Sequence, residues 1–496
     1  MIDCVALLRA GEGAGPALVA ELDRVGVEAA LVHHATAVRY DPERGNALAV
    51  EAAQASGGRL AALGAIAPLD SDPARVVRSA VRDGARGFWL ESALWRGSAA
   101  TSSAALDVLL SELARAGLPL LVPLATWGDA SAIGERTAGL GIPVIVVGAH
   151  YDHIVDDLAA AERHPHLHLE TSALAQFGAV EVVVARIGAE RLLLGTGMPE
   201  RPPSAPINSV AASALAPGAK AAIMGGNAAR LFGLESRSVA VPEPLDAGGA
   251  AIDVHAHLPP APWDVGRPAV EALLGRLAAA GIEIAVASSL EGILVDMPAG
   301  NASTVSACAL EPGLRGYLVA DPNDVAGSRA ELVRHGDREG IVGVKVHCQW
   351  SGVEAGSPLM AALFELLADH GRAVKAHLDG AGWDAALRTL ATRHPDLPII
   401  VAHAGPGAPS RLAARVAAET GNVHLELASS FAGLAEVREV VALAGSRPIL
   451  LGTDAPLLEP AWALGTYADA GLRPETHPEV FQATAARLLG LGSGVA

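Results

Sequence analysis

Short apolar runs alternate with longer amphipathic runs throughout the chain. In the second half, runs rich in Ala, Leu, Arg and Glu are typical of helices, for example at 270–280, 358–370 and 410–420. Eight apolar runs between such segments have the length of β-strands, at residues 251–255, 284–288, 315–320, 342–347, 373–377, 399–403, 423–428 and 449–453. Eight strands that alternate with helices predict a (β/α)₈ barrel, which is an α/β fold.

The same pattern occurs twice along the chain, with a spacing of about 255 residues. GTGMP at 195–199 corresponds to GTDAP at 452–456, and NAARLFGL at 227–234 corresponds to TAARLLGL at 484–491. Apolar and helical runs also alternate in the first half. We therefore expect two copies of one fold.

Length and composition support two domains. A chain of 496 residues exceeds the usual size of one domain, and 51% hydrophobic with 18% charged residues is typical of a folded protein with a large core. The segment 237–250 contains Pro and Gly without an amphipathic period, and we interpret it as a linker. The sequence thus predicts two tandem (β/α)₈ TIM barrels, at residues 1–236 and 251–496.

Charge and cysteine content restrict the partners and the compartment. The formal net charge of −18 argues against a nucleic-acid partner, which would require a basic surface. Cys4, Cys308 and Cys348 are few and odd in number, which fits free thiols in a reducing compartment. Neither a membrane-spanning apolar run nor a signal-peptide pattern is present. We expect a cytoplasmic protein that acts on a small-molecule substrate and has no membrane partner.

Polar side chains in the second half follow the predicted strands. His255 and His257 follow an apolar run and, at positions i and i+2, lie on one strand face. His377, His403 and Asp454 each end a later strand, and in a barrel these ends meet at one mouth. Imidazole nitrogens and a carboxylate suit Zn²⁺, Mn²⁺ or Fe²⁺. Each residue alone is consistent with a hydrogen-bonded strand end, but the set of five predicts a metal site.

These strand ends are accompanied by four longer segments, DVHAHLPP at 253–260, GVKVH at 343–347, LGTDAP at 451–456 and AARLLGL at 485–491. With them, nearly all of residues 251–493 resembles the amidohydrolase superfamily. The resemblance is greatest to the amidohydrolase-related branch that includes aminocarboxymuconate-semialdehyde decarboxylase. The first half then reads as a degenerate copy from a tandem duplication.

The resemblance implies a function and a role for each strand-end residue. His255, His257, His377 and Asp454 are expected to bind one divalent metal ion, with Zn²⁺ preferred over Mn²⁺ or Fe²⁺. His403 is expected to lie beside the ion and act catalytically on the water or substrate, and Asp454 to accept a proton as well. The leading hypothesis is a metal-dependent hydrolase of an amide, lactone, ester or related carbonyl compound.

Two other functions stay open at this level. The same branch contains non-oxidative decarboxylases and hydratases, so a lyase with the same ligands is the main alternative. Decarboxylases of hydroxybenzoate type often carry Glu at the position of Asp253, which favours hydrolysis here. A non-catalytic binding scaffold is the third hypothesis, and the complete ligand set of the second half argues against it.

Five residues near the predicted mouth are candidate substrate contacts. Lys345 has three interpretations, namely a carboxylated bridge between two metal ions, a ligand for a substrate carboxylate, or a member of a structural ion pair. The others are a strand-end histidine and loop residues, for which a plain structural role is the alternative. The five candidates are Lys345, His347, Trp263, Arg267 and Trp350.

The first half lacks every ligand. The residues opposite the ligand positions, taken in the order of the second half, are Val5, Leu7, Pro123, Gly148 and Gly197. We expect a barrel kept for structure, which packs against the catalytic barrel, while further oligomerisation is left open. The remaining histidines of this half are expected to be exposed or in loops, namely His33, His34, His150, His153, His164, His166 and His168.

Overall fold

The computed structural model describes residues 1–67, 72–90, 104–124, 126–235, 239–258 and 270–491. It divides into two compact units, Met1–Pro244 and Leu245–Ala496, and the division falls inside the predicted linker. In the described part of the chain, no helix has both the length and the apolar composition required to cross a bilayer.

Each unit contains one eight-stranded parallel sheet whose strands follow one another in chain order. The strands of the first unit are β1 Ile2–Leu8, β2 Ala29–His34, β3 Leu60–Ile66, β4 Gly87–Leu90, β5 Leu120–Pro123, β6 Val144–Val147, β7 Leu167–Glu170 and β8 Leu192–Leu193. Those of the second are β9 Ala251–Leu258, β10 Ile282–Ser289, β11 Leu314–Val319, β12 Ile341–His347, β13 Ala373–His377, β14 Ile399–Val401, β15 Val423–Glu426 and β16 Ile449–Leu450.

Helices connect the strands, as parallel pairing requires. Those of the first unit are α1 Ala14–Arg24, α2 Ala35–Arg39, α3 Pro42–Ala55, α4 Pro73–Arg82, α5 Ala104–Ala116, α6 Asp129–Thr137, α7 Ile154–Arg163, α8 Ala179–Ile187, α9 Ser204–Ala212, α10 Pro217–Ala221 and α11 Asn227–Phe232. Those of the second are α12 Val270–Ala279, α13 Leu290–Leu294, α14 Met297–Leu310, α15 Val325–His335, α16 Cys348–Ser351, α17 Pro358–His370, α18 Trp383–Arg393, α19 Arg411–Glu419, α20 Leu434–Ala444, α21 Pro460–Asp469 and α22 Thr484–Leu488. The prediction of two tandem (β/α)₈ barrels is confirmed.

A buried aspartate on the first strand closes each barrel. Asp253 accepts hydrogen bonds from the backbone N–H of His255 (2.9 Å) and from the N–H (3.0 Å) and hydroxyl (2.5 Å) of Thr453, which follows β16. Asp3 makes the same three bonds with Val5 and Thr196 in the first unit. Burial raises the pKa of both carboxyl groups to about 7. The first strand is thereby joined to the segment after the last strand.

Two backbone positions are left-handed in both barrels. His403 has φ 58° and Asp454 has φ 62°, whereas the corresponding residues of the first barrel are Gly148 (φ 89°) and Gly197 (φ 66°). The strand predicted at 399–403 ends at Val401, before the left-handed His403, and that predicted at 449–453 ends at Leu450, because the next N–H, of Leu451, donates to the carbonyl of Val480. A side chain in this region costs roughly 1–2 kcal/mol, from which glycine is exempt. His403 and Asp454 therefore carry this conformational cost in the second barrel, whereas glycine avoids it at both positions of the first.

Loss of the closing aspartate should destabilise either barrel. We expect Asp3→Ala and Asp253→Ala each to lower the free energy of unfolding by about 2–4 kcal/mol, because two buried N–H donors lose their acceptor. Urea denaturation measures the effect. Asp337→Ala, which removes an exposed carboxylate, is the control and should change stability by less than about 0.5 kcal/mol. Equal stability of all three variants would contradict the role of the aspartate in closing each barrel.

The left-handed position 454 can be tested by comparing two substitutions. In metal-free protein, Asp454→Gly should be about 1 kcal/mol more stable than Asp454→Ala, since only glycine adopts φ 62° without strain. At His257, inside β9, the order should be reversed, with Ala more stable than Gly by about 0.5–1 kcal/mol. Denaturation in the presence of a chelator measures the stability of the Gly and Ala variants at both positions. If Ala were more stable than Gly at position 454 as well, the left-handed backbone would not determine the stability there.

Candidate metal centre

Three polar side chains of the second barrel converge where its first and last strands meet. His255 and His257 lie on β9, both buried, with ring centroids 5.1 Å apart. Asp454 Oδ1 lies 3.3 Å from His255 Nε2 and 3.1 Å from His257 Nε2. The backbone N–H of Asp454 donates to the carbonyl of His255 at 2.7 Å, so barrel closure itself fixes this arrangement.

His403 and His377 complete a cluster of imidazole rings at the same mouth. The ring of His403 lies 5.1 Å from that of His255 and 5.0 Å from that of His377. Its Nδ1–H donates to the carbonyl of Ala428 at 2.5 Å. His377, at the end of β13, stacks on His347 with centroids 4.0 Å apart. The structure thus brings together all five residues that the sequence predicts for the metal site.

Glu426, at the end of β15, was missed by the sequence analysis. Its Oε1 accepts hydrogen bonds from His255 Nδ1 (2.9 Å), Lys375 Nζ (3.0 Å) and the backbone N–H of His403 (2.6 Å). The side chain is completely buried. A signal was available, because VHLE at 423–426 corresponds to LHLE at 167–170 and the glutamate is retained in both halves.

Burial sets the protonation states of the cluster. It lowers the pKa of His255 and His377 well below the usual value, so both rings are neutral near pH 7. Burial alone raises the pKa of Asp454, but the hydrogen bond from His257 and the positive potential of neighbouring groups, Lys345 among them, outweigh it and hold the pKa below its usual value. Neutral imidazoles beside an ionised carboxylate are the protonation states that metal ligands require.

The donor atoms fit a divalent cation. Because Glu426 is an acceptor, His255 carries its proton on Nδ1 and directs the Nε2 lone pair toward Asp454 Oδ1. The Ala428 carbonyl fixes the same tautomer of His403. Ligand atoms of His255, His403 and Asp454 all lie within 4.8 Å of one another. The Lys345 amine also lies 3.3 Å from His255 Nε2. Outer acceptors on Nδ1, as His255 and His403 have, are usual for metal-bound histidines.

The predicted substrate contacts have different positions. Lys345 is buried, with Nζ 3.3 Å from His255 Nε2, and burial together with Lys375 lowers its pKa to about 7. His347 lines the mouth beside His377. Trp350, on α16, is 49% exposed, and its ring centroid lies 6.3 Å from that of His347. The two other candidates lie outside the described residues, namely Trp263 and Arg267.

Aromatic rings occupy the mouth of the first barrel instead. His33 pairs with Leu7 as Ser288 pairs with His257, and its ring stacks on Trp89 at 3.8 Å. Among the described residues, a three-residue group of potential metal ligands occurs only in the second barrel. The expectation of exposed or loop histidines was wrong for three residues, because the strands that carry them are buried, namely His33 and His34 on β2 and His168 on β7. His150 and His153 lie in the loop before α7, as expected, although both are buried there.

Comparison with known proteins places the chain in a family. The sequence pattern of a family described as amidohydrolase matches residues 12–234 and again 252–491. No curated protein matches the chain.

Several solved structures are similar to part of the chain. One is a 2,6-dihydroxybenzoate decarboxylase with bound 2,6-dihydroxybenzoate (16% identity, 49% of this chain and 99% of that chain, TM-score 0.40). A second is a 2,6-dihydroxybenzoate decarboxylase from Rhizobium (16% identity, 49% and 98%, TM-score 0.39). A third is a 5-carboxyvanillate decarboxylase from Novosphingobium aromaticivorans with manganese and 4-hydroxy-3-methoxy-5-nitrobenzoic acid (17% identity, 44% and 79%, TM-score 0.35). With two family segments on two barrels, the chain belongs to the amidohydrolase family as a tandem duplication.

Proposed function

We propose that the second barrel is a metal-dependent hydrolase that acts on the carbonyl group of an amide, lactone, ester or related compound. The observation that carries the proposal is the convergence of His255, His257 and Asp454 on one point, where the Nε2 atoms of both rings lie within 3.3 Å of one oxygen of an ionised carboxylate. A bound divalent ion, for which we propose Zn²⁺ before Mn²⁺ or Fe²⁺, would polarise the carbonyl and lower the pKa of a water molecule to about 7.

The side chains around this point have separate roles in the proposal. His255, His257, His377 and Asp454 would hold the ion, and Asp454 would also accept the proton of the attacking water on its carboxylate. His403 directs Nε2 into the mouth, because its Nδ1–H is bound to Ala428, and so orients the water or stabilises a developing oxyanion.

The walls of the mouth are proposed to bind the substrate. Lys345 places a buried amine beside His255, where it can bind an anionic group of the substrate. His347 and Trp350 contribute aromatic surface next to it. We extend the same role to Trp263 and Arg267 from the sequence alone.

A lyase on the same site is the second candidate. Lys345 is the observation that favours it, since a buried amine at 3.3 Å from a ligand nitrogen can hold a substrate carboxylate close to the metal position. Non-oxidative decarboxylation would then break the C–C bond to that carboxylate, release CO₂, and leave its electron pair on a carbon that takes up a proton in its place. The first barrel is proposed to have a structural role only, because glycine and apolar residues stand at all its ligand positions.

Metal and product analysis test the proposal together. Elemental analysis of purified protein should give about one transition-metal ion per chain, since one of two barrels carries ligands. About two ions per chain would favour a binuclear centre bridged by Lys345. With an active substrate, incorporation of ¹⁸O from labelled water marks hydrolysis, whereas release of CO₂ marks decarboxylation. Activity that survives complete metal removal would contradict both the hydrolase and the lyase proposal.

Two histidine variants distinguish the ligand assignments. The resemblance makes His377 a ligand, while His403 lies with His255 and Asp454 in the compact group. We expect His377→Ala to lose the metal, and His403→Ala to retain it but lose at least about a hundredfold in turnover. Metal content and turnover are measured on the same preparations. If His403→Ala is metal-free and His377→Ala is loaded, His403 is the ligand and the roles are exchanged.

A further inference from the structure

Glu426 connects four elements of the second barrel through one buried carboxylate. Its Oε1 accepts from His255 on β9, from Lys375 on β13 and from the backbone of His403 after β14. Its Oε2 accepts from the backbone N–H of Ala428 at 2.8 Å. Three donors at one oxygen, one of them the ammonium group of Lys375, require an ionised acceptor.

Glu170 is the corresponding residue of the first barrel, and comparison with it shows which contacts of Glu426 are common to both barrels and which occur in the second alone. Glu170 Oε1 accepts from the backbone N–H of Gly148 (2.8 Å), and its Oε2 accepts from that of Ser172 (2.6 Å). These two bonds correspond to those from His403 and Ala428, so holding the backbone is common to both barrels. The bonds from His255 and Lys375 belong to the second barrel, because Val5 and Leu121 stand at those positions.

A glycine behind each glutamate keeps the carboxylate in place. A Cβ atom added at Gly452 would lie 2.6 Å from Glu426 Oε2, and one added at Gly195 would lie 1.9 Å from Glu170 Oε2. Both are closer than real Cβ atoms approach an oxygen. The carboxylate therefore packs directly against the backbone of the last strand segment, which leaves it little freedom to move away from its donors.

We infer that Glu426 is the positioning residue of the metal centre, an inference that rests on the proposed function. Its carboxylate holds the proton of His255 on Nδ1, so that Nε2 presents its lone pair to the metal position. The same oxygen binds the N–H of His403 and so holds the left-handed backbone from which that ring enters the mouth. Lys375 supplies the counter-charge that allows an ionised carboxylate at this depth.

The matched pair Glu426→Gln and Glu170→Gln tests this inference. An amide has one acceptor oxygen, so each variant places an NH₂ group against at least one former donor, and both should lower the Tm. Only Glu426→Gln affects His255, whose Nδ1–H then faces a neutral amide in place of a carboxylate. We expect it to weaken Zn²⁺ binding about 10–100-fold in competition with a chromophoric chelator, while Glu170→Gln binds Zn²⁺ like the unmodified protein. The visible spectrum of the Co²⁺-loaded protein should change in Glu426→Gln alone, because the coordination of His255 is altered.

A double variant covers the case in which Glu426→Gln does not fold. Lys375→Met with Glu426→Gln removes both buried charges, and its Zn²⁺ affinity is compared with that of Lys375→Met alone, so that the difference isolates the carboxylate. If Zn²⁺ affinity is unchanged in the Glu426 variants, or falls equally in Glu170→Gln, the inference is wrong although the proposed function stands. If the unmodified protein binds no Zn²⁺, Mn²⁺ or Fe²⁺, the proposed function itself fails.

Discussion

The hydrogen bonds between the first strand and the segment after the last strand are the constraint on which each barrel depends. Asp253 and Thr453 are separated by most of the second unit, and the two hydrogen bonds between them bring β9 against the residues that follow β16. Asp454 is the next residue, and its carboxylate comes to lie beside His255 and His257 as a direct result. The contacts that close the second barrel therefore also bring the side chains of the candidate site together.

The first barrel retains the structural contacts of the second but lacks its candidate site residues. It retains the hydrogen bonds between Asp3 and Thr196 that close the barrel, and it retains Glu170, which binds backbone N–H groups. Glycine stands at the two left-handed positions that carry His403 and Asp454 in the second barrel, where a side chain other than glycine costs conformational energy. Stacked rings of His33 and Trp89 occupy the mouth instead. Duplication thus separates the residues that the fold requires from those that the chemistry requires.

The second barrel concentrates charge that an ordinary barrel interior would exclude. Lys345, Lys375, Glu426 and Asp454 are all buried within one network. Burial of unpaired charge is costly, and here the acidic and basic groups offset one another through short contacts. The amine of Lys345 lies beside His255 at the edge of this network, 3.3 Å from its Nε2. The arrangement suits catalysis better than simple stability, for which apolar residues would serve.

The sequence by itself determined the repeat, the two barrels and the five strand-end residues, because strand periodicity and chain order fix which ends share a mouth. It did not reveal Glu426, whose importance depends on contacts with His255, Lys375 and His403, all distant along the chain. It also predicted surface or loop positions for the histidines of the first half, whereas His33, His34 and His168 lie buried on strands. Burial, tautomer and left-handed backbone result from neighbours that only the closed barrel supplies, so the tertiary structure alone decided them.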